Sequence, residues 1–363
     1  MSPDDLDPTP TGGPPMFDDD LVDEFDDIDE EEDEANGAVR YLSVEEFLAG
    51  SSEPEVPEGF RSGFVSLVGR PNVGKSTLLN RILGHKVSIV SDKPQTTRHQ
   101  IRGVLNRPAT QIVFVDTPGI HKPRTLMGER LNEAAIGAAK GVDVVCLLVD
   151  ATAPVGRGDA WVAERVPDDA IVIVNKVDLV SKEQVMKQLL RTTDFGQFGE
   201  SNGGDASSGP TGLDLVREVG AGAREYFPVS AATGEGVEAL VEHLISRLPE
   251  GPKWYPDDMV TDVEDAFWVA ELVREKLLAV THDELPHSIA CRVTEWEWPR
   301  VRVEILVERE SQKGIVIGKK GAVLKQAGIA TRAEMPPGAF LELHVKVDKD
   351  WQRRPKALDR LGY

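Results

Sequence analysis

The run Gly69-Arg70-Pro71-Asn72-Val73-Gly74-Lys75-Ser76, followed by Thr77, limits the fold of this 363-residue chain more than any other feature. It fits the G-x4-G-K-[S/T] pattern, directly after the apolar run Phe64 to Val68 and directly before a helical pattern that opens at Lys75 and Ser76. Strand, glycine-bearing turn and helix N-terminus in that order make an anion cradle. Glycines let backbone N–H groups wrap phosphate oxygens, Lys75 reaches the β- and γ-phosphates, and the Ser76 hydroxyl is offered to Mg²⁺. From Phe64 to Arg247 short β-rich runs alternate with helical patterns, which predicts a mostly parallel sheet with helices on both faces. The expected strands are Phe64 to Val68, Ile112 to Val115, Val144 to Val149, Ile171 to Val174 and Tyr226 to Val229, with an extra edge strand around Val104.

The loop alone fits an ATPase, a kinase or a GTPase, so the residues that read the base decide. Asn175-Lys176-Val177-Asp178 stands at a strand end. The Asp178 carboxylate there accepts both N–H groups of guanine's N1 and N2 edge, which adenine does not offer. Asn175 braces the loop and the Lys176 stem covers the base. Ser230-Ala231, after the last strand, places a backbone N–H at guanine O6. Asp116-Thr117-Pro118-Gly119 ends another strand, with Asp116 near the metal and the Gly119 N–H near the γ-phosphate. In the polar loop Pro94-Gln95-Thr96-Thr97-Arg98 a threonine completes the Mg²⁺ shell when GTP is bound, and Thr97 is favoured over Thr96.

After Leu248-Pro249-Glu250-Gly251-Pro252, which reads as a linker, the pattern changes. A helix (Asp262 to Val280), a strand pair (Ser288 to Trp296 and Val301 to Glu308), a short helix (Ser311 to Ile317), the turn Gly318-Lys319-Lys320-Gly321, a helix from Ala322 and a strand (Phe340 to Val347) give α-β-β-α-GxxG-α-β. This is the order of a type II KH domain, a module that clamps about four nucleotides of single-stranded RNA. Its glycines permit close approach, Lys319 and Lys320 supply charge, and Lys313, Lys325 and Arg332 extend the groove. Trp351 is open to base stacking or to packing. The helix after the turn is cut short at Met335-Pro336-Pro337-Gly338.

A net charge of -21 argues against nucleic acid unless it is localised. Residues 1–60 hold 21 acids against Arg40 alone, leaving 41 acids and 40 bases in residues 61–363, while residues 300–363 carry 14 bases against 8 acids. The start is therefore expected to be a disordered acidic extension, apart from a capping box at Ser43-Val44-Glu45-Glu46. The Gly/Ser-rich stretch Phe195 to Gly222 is expected to be a flexible insertion. Two cysteines suggest no disulfide framework, and no apolar run is long enough to span a bilayer. The expected division is residues 1–60, extension; 61–250, nucleotide domain with the insertion at about 195–222; and 251–363, KH domain.

The nucleotide loop with its Thr-Thr-Arg segment resembles the Era, Der and MnmE branch of GTPases, and the downstream domain resembles that of Era, together over residues 62–363. The resemblance implies a P-loop GTPase domain followed by a smaller α+β type II KH domain. It implies GTP/GDP and Mg²⁺ as ligands, 16S ribosomal RNA near its 3′ end and the 30S subunit as partners, and a role in 30S maturation. It also implies K⁺ held by Asn72. Ile120 stands where small GTPases carry a water-orienting glutamine, so Asn72, Lys75, Thr97 and Gly119 are the catalytic candidates and turnover is expected to be slow and K⁺-stimulated. A cytoplasmic location is expected, peripheral membrane contact stays open and no DNA partner is expected. Two rival readings remain: an RNA-binding protein with guanine nucleotide as a structural ligand, and a GTPase acting on a protein or membrane target.

Overall fold

A computed structural model describes residues 56–193, 224–281 and 285–363. The acidic stretch before Val56, with its Ser43 capping box, and the insertion Phe195 to Gly222 lie outside the described residues. In the first half of the described chain the order is β1 (Arg61–Gly69), α1 (Lys75–Leu83), β2 (Ile101–Arg107), β3 (Thr110–Asp116), α2 (Leu126–Gly137), β4 (Val144–Asp150), α3 (Arg157–Ala163), β5 (Ile171–Asn175), α4 (Lys182–Thr193), β6 (Tyr226–Pro228) and α5 (Val237–Arg247). The strands lie in the order β2-β3-β1-β4-β5-β6. All pairings are parallel except that of β2 with β3. The edge strand expected around Val104 is β2, and its short link to β3 through Pro108 and Ala109 makes the antiparallel direction obligatory.

Alternate residues of the central strands face opposite layers. Cys146 and Leu148 pack with Leu78 and Leu79 of α1 and with Leu240 and Leu244 of α5. Val145, Leu147 and Val149 pack with Ala135 of α2 and with Ala160 and Val162 of α3. Burial on both faces is why these strands read as unbroken apolar runs. Each large aliphatic side chain so buried contributes about 1.5–3 kcal/mol, and the rigid sheet fixes the edge from which β1, β3, β5 and β6 send out their loops.

The segment expected to be a linker is fastened to the sheet. Ser62 N donates to Pro249 O and Gly251 N to Phe60 O, each at 3.1 Å, and Ser62 Oγ donates to Pro252 O at 2.6 Å. Farther on, Val104 N donates to Val260 O at 2.8 Å and Thr261 bridges Gly103, covering the open side of β2.

The second half comprises α6 (Asp265–Val280), α7 (Leu285–Ser288), β7 (Ala290–Glu297), β8 (Arg300–Val307), α8 (Glu310–Ile317), α9 (Ala322–Arg332), β9 (Phe340–Val347) and α10 (Pro355–Leu361). Its sheet runs β7-β8-β9, with β7 antiparallel and β9 parallel to β8. Val301, Val303, Ile305 and Val307 of β8 pack on Val269, Val273 and Leu277 of α6 and on Ala327 of α9. The expected α-β-β-α-GxxG-α-β order is present, and α9 stops at Arg332, ahead of Pro336. The helix α10 was not anticipated. With Trp351 and Leu358 it packs on Met127 and Leu131 of α2, a seam between the two halves. Trp351 is fully buried there, and its Nε1 donates to Ser288 O at 3.1 Å, which removes it as a base-stacking group. No helix among the described residues is long and apolar enough to cross a membrane.

Candidate functional site

Pro71, Asn72, Gly74, Lys75, Ser76, Thr77, Thr97, Gly119 and Lys176 line one cavity of about 370 Å³ at the strand ends. The turn that makes it depends on Gly74, whose φ of +96° favours glycine and whose Cβ position is taken by the Asn175 amide. Asn175 is itself buried. Its Nδ2 donates to Val73 O at 2.8 Å and its Oδ1 accepts from Ala231 N at 3.0 Å, so one side chain ties the nucleotide loop to the Ser230-Ala231 loop. Of the Ser230-Ala231 backbone N–H groups from which one was expected at guanine O6, that of Ala231 is thus engaged by Asn175, and the Ser230 hydroxyl accepts from Thr233 N at 3.0 Å.

Lys75 is buried, with Nζ 3.4 Å from Gly69 O and 3.2 Å from Arg70 O. Burial pulls its ammonium down to about 8, against the opposing pull of Asp116. The Asp116 carboxyl is pushed up by burial, and Lys75 and three hydroxyls counter this. Its Oδ2 accepts from Ser76 Oγ at 2.6 Å and from Ser88 Oγ at 2.9 Å, and Thr97 Oγ1 lies 2.8 Å from Ser76 Oγ. The other oxygen, Asp116 Oδ1, is buried with no partner. Two hydroxyls and a carboxylate with an unmet oxygen are hard donors suited to Mg²⁺. Thr96 turns away, donating from Oγ1 to Lys93 O at 2.6 Å, which separates the two threonines.

Other expected residues fall around the cavity. Lys176 pairs through Nζ with Asp150 at 2.6 Å, fixing its stem. Asp178 is exposed, two residues beyond Lys176. Val73 is in the core beneath the loop. Gly69 and Arg70 contribute carbonyls, and the Arg70 side chain leads elsewhere, to Asp159 at 3.1 Å. Ile120 is buried with the apolar residues under the sheet, pointing away from the site. Asn72 Nδ2 donates to Asp92 O at 2.6 Å, so the nucleotide loop holds the segment that carries Thr97.

What sequence reasoning missed is how the second half grips that same segment. Val90 N donates to Glu275 Oε1 at 2.9 Å, and Arg274 donates to Thr96 O. Arg98 is buried and donates to Ile289 O at 2.6 Å. Arg274 and Glu271 form a buried ion pair at 2.6 Å. Although burial opposes it, Glu271 holds Arg274 firmly protonated. The available signal was Glu271, Arg274 and Glu275 at helical spacing among the apolar residues of α6: charges on a core-facing stripe need partners.

At the GxxG turn Gly318 has φ +74°, and a Cβ there would lie 2.9 Å from Val323 N. Lys320 and Gly321 also take positive φ, so the turn folds back on itself, closed by Gly321 N donating to Gly318 O at 3.1 Å and by Ala322 N donating to Lys319 O. Lys319, Lys320 and Lys325 are exposed and Lys313 is half-buried. Beside them Ile315 and Ile329 are 56% and 51% exposed, apolar walls that periodicity alone did not single out.

Residues 64–176 match the 50S ribosome-binding GTPase family and residues 284–352 match the KH domain family. The chain is 42% identical over 316 residues to the GTPase Era of Geotalea uraniireducens, covering 84% of this chain and 98% of that one. It is 44% identical over 322 residues to the GTPase Era of Mycobacterium tuberculosis, covering 84% and 99%. Among solved structures, Era in complex with MgGDPNP and nucleotides 1506–1542 of 16S ribosomal RNA superposes with a TM-score of 0.72 at 35% identity, covering 84% of this chain and 99% of that one. A single-substitution variant of Aquifex aeolicus Era bound to GDP and AlF4⁻ does so with the same score, identity and coverage.

Proposed function

The chain belongs to the Era family of GTPases, and on that premise we propose that its nucleotide state governs binding of 16S ribosomal RNA near the 3′ end and thereby assists maturation of the 30S subunit. The observation that carries this reading is the double grip on the Thr97 segment, held by Asn72 on one side and by Arg274 and Glu275 of α6 on the other. A γ-phosphate that recruits Thr97 pulls on a segment fastened to the RNA-binding half, so the two ligands are linked.

In hydrolysis the nucleotide loop's N–H groups and Lys75 neutralise the phosphates, Asp178 reads guanine, and the Thr97 and Gly119 backbone borders the γ-phosphate. Ser76, Thr97 and Asp116 would hold Mg²⁺, which would supply charge neutralisation at the phosphates. Because Ile120 has no polar group, positioning and charge must carry the rate. The Asn72 amide and the Asp92 carbonyl beside it are oxygen donors of the kind K⁺ takes, and K⁺ stimulation is the corresponding expectation. Equal turnover in KCl and NaCl would remove it. Lys313, Gly318, Lys319, Lys320, Gly321 and Lys325 form the RNA clamp. A cytoplasmic protein with a peripheral membrane fraction is the location this reading carries, tested by whether the chain co-sediments with membranes after a salt wash.

The deciding experiment measures affinity for the 3′-terminal segment of 16S ribosomal RNA and for a scrambled control, with GDP and with a non-hydrolysable GTP analogue. Tighter, sequence-selective binding in the analogue state is expected. Equal affinity in both states would leave nucleotide and RNA as independent ligands.

A further inference from the structure

The segment that follows β3 has a second side. A cavity of about 760 Å³ is walled there by Arg70 of the nucleotide loop, His121 and Lys122 after β3, and Arg157 and Trp161 of α3. Every charged side chain on its wall is basic. Arg70 is set in place by the buried Asp159, whose Oδ2 lies 3.1 Å from Arg70 Nη1 and accepts from Gly156 N at 3.1 Å. The guanidinium lies so close over α3 that a Cβ on Gly158 would be 3.3 Å from its carbon. Lys122 and Arg157 are exposed, and among the described residues neither enters an ion pair. Trp161 carries the Arg165 guanidinium over its ring, 3.7 Å from the centroid. His121 ties the cavity to the nucleotide site: its Nε2 is 2.7 Å from the Gln95 amide nitrogen and its Nδ1 is 3.1 Å from Gly119 O.

We infer that this cavity is a second RNA contact, taking one nucleotide unit with its phosphodiester on Arg70, Lys122 and Arg157 and its base against Trp161. The inference rests on the RNA-binding reading above and extends it to a surface of the nucleotide-binding half, built from none of the residues of the GxxG turn. Convergent cations with an interleaved aromatic ring are what single-stranded RNA requires, whereas a protein carboxylate would have no use for the indole. Because the wall includes His121, two residues beyond Gly119, an occupant here biases the segment that borders the γ-phosphate. An occupant that shifts this segment alters GTP turnover, and by reciprocity of the binding free energies RNA in this cavity alters nucleotide affinity by the factor by which the nucleotide alters RNA affinity.

The test uses the full chain, the 3′-terminal segment of 16S ribosomal RNA, ultraviolet cross-linking with peptide mapping, and GTP turnover with and without RNA. In the unaltered protein, cross-links are expected in the peptide holding Trp161 as well as in that holding Lys319 and Lys320. The double variant Lys122→Glu with Arg157→Glu, at exposed positions, should lose the first cross-link, weaken RNA binding by about tenfold and abolish the effect of RNA on turnover, with basal turnover unchanged. Cross-links confined to the GxxG peptide, together with an unaltered RNA effect in this variant, would overturn the inference and leave the cavity to an acidic protein segment. Lys319→Ala with Lys320→Ala separates the two readings. Loss of the GxxG cross-link with the Trp161 cross-link retained supports both contacts. Unchanged RNA affinity in that variant counts against the clamp alone.

Discussion

The nucleotide loop and the GxxG turn, both of which the proposed function sets against phosphate, are built in opposite ways. Around the first, Lys75, Asp116 and Asn175 are buried and each is held by several partners. Around the second, Lys319, Lys320 and Lys325 stand in solvent, and only the backbone turn is tightly specified. A small ligand that must be told from its close analogues needs desolvated groups whose unmet hydrogen bonds penalise the wrong choice. A polymer bound through many phosphates needs mobile charge and close approach, and its affinity is spread over counterion release. The two sites therefore differ in how much a single side chain decides.

That contrast can be broken most severely at Asp178. In Asp178→Ala the preference for GTP over ATP should fall by about 10⁴, read as the ratio of the two dissociation constants, while RNA affinity in the nucleotide-free state stays put. Next in size is Glu271→Ala, which strands the buried Arg274 charge. A loss of about 3–5 kcal/mol in unfolding free energy is expected, and any folded fraction should bind RNA with equal affinity in GDP and GTP-analogue states. At the clamp, Lys319→Ala with Lys320→Ala should weaken RNA binding by roughly 10- to 100-fold and flatten its dependence on log salt by about 2, without touching nucleotide affinity. A far larger loss would mean that these lysines behave like the buried groups of the other site.

The smallest effect concerns the seam between the halves. His99 lies edge-on to Phe267 and stacked on Tyr363, and burial lowers its pKa from the ordinary 6.5. The unfolded chain therefore takes up the proton first as pH falls below 6.5, and stability drops from there down to the folded-state value, by at most about 1.4 kcal/mol per pH unit. His99→Gln should flatten the melting temperature against pH between 6.5 and 5, and an unchanged slope would place the acid sensitivity elsewhere.

The sequence was most informative where local chemistry dictates local shape. Strand, Gly74 turn and helix follow one another without a gap, so the loop and its ligand class were legible, as was the GxxG turn between two helices. It was least informative where residues far apart in the chain share one charge. Glu271 and Arg274 stand out as charges among the apolar residues of α6, but that Arg274 serves the Thr96 carbonyl is apparent only once α6 is laid on it. Trp351 and α10 were illegible for a related reason. A helix as short as Pro355–Leu361 has little propensity of its own and exists because α2 offers Met127 and Leu131 to pack against.

The fastening of residues 249–261 along β1 and β2 has a mechanical consequence. Between the bridge at Thr261 and the start of α6 at Asp265 only Asp262, Val263 and Glu264 intervene, and Asp262 is itself held by Arg102 at 2.9 Å. Three extended residues reach about 10 Å. The RNA-binding half thus hangs on a leash much shorter than its own width. Whatever the nucleotide releases at the Thr97 segment, that half can swivel about a fixed point but cannot drift, and it returns to its seat from a local concentration that no free partner could match.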